Sequence, residues 1–159
     1  MTTTELLLAS IDEAFDMRSW HGTNLRGSLR GVTREEAARR IQAGRHNIWE
    51  LVVHAAYWKY DIRRRLTGEK AHSFAIEGSN FWTRPLEGTP GEWRRDLRLL
   101  EDEHARLRVA VAAFPASRWA RQAPGKPFNF AGLVRGIAAH DLYHAGQIQL
   151  LRRLQEVES

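Results

Sequence analysis

Three of the seven histidines in the sequence lie on or beside the apolar faces of two predicted helices, and a fourth, His104, lies on the apolar face of another. His140 and His144 are four residues apart, so both imidazoles leave the same side of a helix, one turn apart. They occupy positions between Ile137 and Ile148 where an apolar side chain is expected, and His54 lies beside the apolar face of an earlier helix. If these helices pack together, all three rings can turn toward one point.

Imidazoles inside a helical bundle need partners, because an unsatisfied ring nitrogen is costly in a core and an imidazolium costs more. A single core histidine can bond to a backbone carbonyl or a hydroxyl, and that interpretation stays open for each residue alone. Three converging rings would repel one another if protonated, whereas one divalent cation can bind three neutral nitrogens at about 2.0–2.1 Å. We therefore predict a three-histidine metal site. Its vacant coordination position, typical of catalytic sites, would hold water or a thiol and lower its pKa.

The composition excludes several other kinds of site. The chain has 159 residues and no cysteine, which excludes a thiol nucleophile, an iron–sulfur cluster and a zinc site built on thiolates. Its length fits one domain, residues 1–159, with a full hydrophobic core. No apolar run approaches the roughly 20 residues that span a bilayer, and the N-terminus lacks the features of a secretory signal. We expect a cytoplasmic protein that does not bind membranes.

The charge balance is basic but dispersed. The formal net charge is +5, and only three of the 24 basic residues are lysine. Such a balance permits contact with anions. The arginines are nevertheless spread around the predicted helices and interleaved with acidic residues, which is typical of a solvated surface. We expect no nucleic-acid partner.

Helix-start signals and apolar periodicity predict four long helices. They are predicted over 5–20, 47–68, 89–115 and from 129 onward, with Thr4, Asn47, Thr89 and Asn129 as their caps. Thr33 and Glu36 form a further capping box, which predicts a short extra helix through Ile41. Four amphipathic helices favour an all-α four-helix bundle, and the long connections between them permit parallel neighbours.

The segment 67–88 shows no periodicity and contains several aromatic residues. A connection of this length is often a lid or a binding loop, although it could simply pack its aromatics over the end of the bundle. Trp82 and Arg84 in this segment could close over an anionic substrate. His21, His46 and His72 fall in predicted loops and are expected to be solvent-exposed.

The segment His140-Asp-Leu-Tyr-His144 invites comparison with the His-Glu-x-x-His helix of zinc proteases. Asp141 stands in place of the catalytic glutamate but is one methylene shorter, and no third ligand follows at the protease spacing. We do not favour a protease.

Two segments together resemble the DinB/YfiT-like superfamily. They are Asn47-Ile-Trp-Glu-Leu-Val-Val-His-Ala-Ala-Tyr-Trp58 and His140-Asp-Leu-Tyr-His-Ala-Gly-Gln-Ile148. The resemblance implies a four-helix bundle of up-down-down-up topology, often dimeric, with a divalent metal, commonly zinc or nickel. The implied ligands fall on His54, His140 and His144. Relatives include transferases and isomerases that use mycothiol, bacillithiol or glutathione.

The hypothesis from sequence is a metal-dependent enzyme, a thiol S-transferase rather than a hydrolase or isomerase. It would activate a low-molecular-weight thiol, or water, for transfer to an electrophilic small-molecule substrate. Two alternatives stay open: a non-catalytic, stress-associated protein that binds a metal or small ligand, and a structural module with ordinary core histidines. Candidate catalytic residues are Tyr143, Gln147 and His104, and Asp61 could orient an imidazole or pair with an arginine. We expect a homodimer.

Overall fold

The computed structural model describes residues 1–157, in which helices are the only regular secondary structure apart from one isolated bridge. The six α-helices are α1 (Thr3–Phe15), α2 (Leu25–Ser28), α3 (Arg34–Ala38), α4 (Ile48–Thr67), α5 (Pro90–Ala113) and α6 (Phe130–Val157), and a 3-10 turn covers Ala116–Arg118. This confirms the all-α class and the four long helices. Among these residues, no helix combines the length and apolarity that crossing a bilayer requires.

The predicted helix starts at Asn47, Thr89 and Asn129 are confirmed. Asn47 and Thr89 each accept a hydrogen bond from the amide three residues on, and the glutamate at that position returns the bond. Asn129 accepts from the amide of Gly132 at 2.7 Å. These side chains satisfy amides that have no partner within the helix, which is why local sequence identifies them.

The first helix starts and ends earlier than the sequence indicated. Its cap is Thr2 rather than Thr4, because Thr2 and Glu5 form the reciprocal hydrogen bonds of a capping box. The predicted extension to Trp20 is wrong, since α1 ends at Phe15. Trp20 is fully exposed, so its side chain packs against no neighbour that would hold it in a longer helix.

The connection from α1 to α4 holds two short helices, not the single one predicted. α3 begins at the predicted Thr33 capping box but ends at Ala38, before Ile41. α2 has only 4 residues, too few for a periodic pattern. Asn24 caps it by accepting from the Gly27 amide at 2.9 Å.

The order of contacting residues along two helices gives their relative direction. The contacts are Trp49–Asp96 and Lys59–His104 between α4 and α5, His54–His144 and Lys59–Asp141 between α4 and α6, and Asp12–Arg108 and Phe15–His104 between α1 and α5. Residue numbers rise together for α4 and α5, which are therefore parallel. They run oppositely in the other two pairs. This is the up-down-down-up topology that the resemblance implied.

The parallel arrangement of α4 and α5 explains the long aperiodic connection. A helix of 20 residues is about 30 Å long at 1.5 Å per residue. The chain must return over that length before α5 can begin beside the start of α4. Residues 68–89 make this return without a helix or strand of their own.

A buried polar layer crosses the bundle between two apolar regions. One region holds Ile62 of α4, Leu107 of α5 and Ile137 of α6, and the other holds residues nearer the opposite end of the bundle, such as Val52 and Ile148. Between them α4, α5 and α6 contribute one polar residue each: Lys59, His104 and Asp141, all at most 4% exposed. Each of the three helices therefore changes from apolar to polar and back at the same level.

We predict that Asn47→Ala will destabilise the fold more than Thr89→Ala. Asn47 is 1% exposed, and its amide also donates to the carbonyls of Ala38 and Arg84, at 3.2 and 2.7 Å. Its loss leaves buried groups unpaired and should lower the free energy of unfolding by about 2–4 kcal/mol. The exposed cap Thr89 should cost about 1 kcal/mol. Urea unfolding at neutral pH measures both, and equal losses would contradict the special role of Asn47.

Candidate metal centre

Three imidazole nitrogens meet between α4 and α6. The Nε2 atom of His140 lies 3.1 Å from Nε2 of His54 and 3.0 Å from Nε2 of His144. One ligand atom from each ring lies within 4.8 Å of the other two. The i, i+4 spacing places the two α6 rings on one face, and α4 brings the third ring against them. The structure thus brings together the three residues that the sequence singled out.

The Nδ1 atoms of His54 and His144, which face away from the cluster, already form hydrogen bonds. Nδ1 of His54 lies 2.7 Å from the carbonyl oxygen of Asn80, and Nδ1 of His144 lies 2.6 Å from Oε1 of Gln147. Both oxygens can only accept, so each Nδ1 carries a hydrogen and each neutral ring directs an Nε2 lone pair inward.

The middle ring, His140, cannot satisfy both inward lone pairs. Its Nε2 can donate to only one neighbour, and its buried Nδ1 has no hydrogen-bond partner in the described part of the chain. A divalent cation accepts electron density from all three nitrogens at once, so the donor set fits one.

The rings are neutral at physiological pH, as metal ligation requires. Burial lowers the pKa of His54 to about 4, with the neighbouring histidines adding to the shift. Burial lowers the pKa of His140 to about 3, and the charges of His144, His54 and Lys59 act in the same direction. The pKa of His144 is also lowered, mainly by burial.

The cluster opens into a cavity of about 500 Å³. Its walls are largely apolar and include Leu51, Phe81, Tyr143, Leu150 and Leu151. A larger cleft of about 840 Å³ lies between α1, α2 and α5, but no histidine lines it. The smaller cavity is therefore the one that can present a ligand to the three imidazoles.

The connection from α4 to α5, residues 68–89, forms one wall of the site, and we call it the crossover segment. Phe81 stacks on His54 with ring centroids 3.9 Å apart. Asn80, whose carbonyl orients the same imidazole, has a left-handed φ of 69°, and its side-chain oxygen accepts from Trp58 Nε1 at 3.2 Å. A non-glycine residue in this conformation is uncommon and is held by its surroundings. The segment therefore packs aromatics, as one interpretation expected, and also supplies a group that positions a ring of the cluster.

Two of the three candidate catalytic residues lie at the cavity. Gln147 donates from Nε2 to the Tyr143 hydroxyl at 3.2 Å while its oxygen bonds to His144. The side chain of Tyr143 is 64% exposed, so its own O–H is free to donate into the cavity. His104 does not line the cavity and instead stacks on Phe15 at 3.8 Å.

Three other residues singled out from the sequence, Arg84, Trp82 and Asp61, do not line the cavity. Arg84 is buried, and its Nε donates to Asp96 at 2.8 Å, so it does not close over a substrate. Trp82 donates to the Glu77 carbonyl at 2.7 Å and lies outside the cavity lining. Asp61 pairs with arginines of its own helix, which is the alternative given for it. The helical and loop patterns could not show that Arg84 would find a buried partner on α5.

A buried ion pair lies directly behind the cluster. Lys59 and Asp141 are both 0% exposed and are bonded to each other, with His104 Nδ1 3.4 Å from the lysine nitrogen. Burial raises the pKa of Asp141, and the charge of Lys59 opposes that shift. Because Asp141 follows His140 in α6, this pair fixes the rotation of the helix that presents two of the imidazoles. The sequence did not indicate that Lys59 would be buried, because a lysine beside the apolar face of a helix is usually solvated.

The family comparison agrees with this geometry. The model of the DinB superfamily matches residues 19–148, which include α4 and the part of α6 that carries His140 and His144. None of the curated proteins and none of the solved structures compared with the chain matches it.

We predict that untagged protein will bind about one equivalent of a divalent metal through the three histidines. His54→Ala and His140→Ala each remove a ligand and should abolish stoichiometric binding. His21→Ala removes an exposed imidazole and serves as the matched control. Elemental analysis after dialysis measures the metal, and binding that survives both ligand variants would contradict the site.

We predict that Lys59→Met alone will lower the free energy of unfolding by about 3–5 kcal/mol, because Asp141 stays buried without the charge that compensates it. The double variant Lys59→Met/Asp141→Leu removes both charges and should lose less than the single variant. Urea unfolding of the two variants tests this, and a double variant that loses as much as Lys59→Met or more would contradict the pairing.

Proposed function

The chain belongs to the DinB superfamily, and we propose that it is a divalent-metal-dependent enzyme that transfers a low-molecular-weight thiol to an electrophilic small molecule. The observation that carries this proposal is the convergence of three neutral imidazole nitrogens on the wall of an open, largely apolar cavity. A structural metal site would be closed by a fourth protein ligand, whereas catalytic sites leave a position for an exchangeable ligand. In the described chain the group of potential ligands has three members.

The metal would supply positive charge that lowers the pKa of an incoming thiol, and zinc or nickel suits three imidazoles. His54, His140 and His144 would hold it. The chain itself has no cysteine, so the reacting sulfur must come from a small molecule. The same charge would also lower the pKa of a bound water molecule and so favour hydroxide as the alternative nucleophile.

The cavity residues account for binding and orientation. Leu51, Phe81 and Leu151 offer apolar surface that excludes water from the reacting atoms. Tyr143, whose hydroxyl already accepts a bond from Gln147, can donate its hydrogen to a carbonyl or leaving atom of the electrophile. In the overall reaction an S–H bond and a carbon–leaving-group bond break, an S–C bond forms, and the proton departs with the leaving group.

A homodimer and a cytoplasmic location stay predictions. They depend on the resemblance and on sequence features, respectively. Size-exclusion chromatography with light scattering measures the oligomeric state.

The test is a thiol-transfer screen with metal-loaded, untagged protein. Glutathione, bacillithiol and mycothiol are each combined with monochlorobimane or 1-chloro-2,4-dinitrobenzene as electrophile. We expect at least a ~100-fold acceleration with one thiol, well below the ~10⁶-fold or more of natural enzyme–substrate pairs, because the electrophiles are surrogates. His140→Ala should reduce the rate to that of the uncatalysed reaction, and His21→Ala should not change it.

Two results would decide against this function. Stoichiometric metal with no acceleration of any thiol favours the alternative of a non-catalytic metal- or ligand-binding protein. Acceleration that is unchanged in His140→Ala would place the chemistry elsewhere.

A further inference from the structure

A fourth histidine shares the cavity without belonging to the three-histidine cluster. His46 lies just before the cap of α4 and lines the same cavity. Its ring stacks on Phe81 with centroids 3.7 Å apart and an interplanar angle of 4°, while Phe81 stacks on His54 at 3.9 Å and 9°. Phe81 thus lies between His46 and His54 of the cluster. The His46 side chain is 47% exposed, so it is accessible to a ligand in the cavity.

A buried carboxylate fixes the orientation of the His46 ring. Nδ1 of His46 lies 2.9 Å from Oε2 of Glu50, whose side chain is 5% exposed. Glu50 also accepts from the Arg40 guanidinium at 2.6 and 3.2 Å and from the Arg84 amide at 3.2 Å. Burial alone would raise the pKa of Glu50, but hydrogen bonds from Arg40, His46 and the Arg84 amide outweigh it and lower the pKa.

The charge on Glu50 determines which nitrogen of His46 is free. An ionised carboxylate can only accept, so Nδ1 of His46 must carry the hydrogen. In the neutral ring the lone pair is then on Nε2, at the opposite edge of the imidazole, and no described residue bonds to that atom. A carboxylate holding one histidine nitrogen so that the other can take a proton is the arrangement used in acyl-transfer catalysis.

We propose that His46 is a catalytic residue of this site and that its Nε2 takes the proton of the entering nucleophile and delivers it to the leaving group. The inference rests on the proposed function and adds a proton-transfer residue to it. The chemical class of substrate that follows is a thiol paired with an electrophile whose leaving atom needs a proton, such as an alkoxide oxygen or an amine nitrogen.

The step balances without a further reactant. Nε2 accepts the hydrogen as the S–H bond breaks, and the electron pair stays on sulfur. The sulfur forms the S–C bond as the carbon–leaving-group bond breaks, and the leaving atom takes that electron pair. The imidazolium then gives its proton to the leaving atom and returns to the neutral ring.

Charged and titratable groups around His46 come from each neighbouring element. Glu50 and Arg40 adjoin it directly, and Arg45 lines the cavity mouth beside it. His144 and Tyr143 of α6 line the same cavity. A proton-transfer role among these groups must therefore be assigned by substitution of His46 itself.

The activity test compares His46→Gln with His21→Gln. Glutamine can still donate to Glu50 but has no lone pair that takes a proton at neutral pH. We expect kcat/KM to fall about 100-fold in His46→Gln, as is typical for loss of a general base, with metal content unchanged. Added imidazole should restore part of the rate. The exposed control should keep the wild-type rate.

A second measurement does not depend on turnover. Long-range ¹⁵N–¹H NMR of the zinc-loaded wild-type protein reports the tautomer of each histidine. We expect the Nδ1–H form for neutral His46, and the Nε2–H form would overturn the proposal. Active wild type with undiminished His46→Gln would overturn it while leaving thiol transfer intact. A wild type that accelerates no thiol would reject the proposed function and, with it, this role.

Discussion

Three imidazole nitrogens in one small space set the constraint on which this site depends. The Nε2 atoms of His54 and His144 face His140 at 3.1 and 3.0 Å, while their Nδ1 atoms are already bonded outward. No distribution of the remaining hydrogens pairs all of these nitrogens. Burial makes protonation of the rings costly, so positive charge is best supplied by a cation between them. The same arrangement that leaves the nitrogens unpaired in the bundle therefore forms a cluster that could hold a metal ion.

The polar layer below the cluster gives these rings their direction. Successive residues of an α-helix are about 100° apart at 3.6 residues per turn, so His140 and Asp141 face different sides of α6. Asp141 bonds to the buried ammonium of Lys59, and this contact limits how far α6 can rotate about its axis. A buried ion pair adds little net stability by itself. Its clearer effect here is that it sets which residues of α6 face the cavity.

The parallel packing of α4 and α5 has a consequence for chemistry. It requires a long crossover, and the crossover passes over the cavity on its way back. There it provides the Asn80 carbonyl for His54 and the Phe81 ring that lies between His54 and His46. The aperiodic crossover segment thus supplies the ring that lies between His54 of the cluster and His46.

The sequence by itself determined the long helices, three of their four caps and the pairing of His140 with His144, because these depend on groups three or four residues apart. It also indicated His54, since the apolar face of its helix is periodic. The tertiary structure decided where α1 ends, that Arg84 pairs with Asp96 in the interior, and that His46 lines the cavity. These outcomes depend on where the crossover and the start of α4 come to lie against other helices. Spacing along the chain cannot indicate these positions, because they depend on contacts between residues that only tertiary packing brings together.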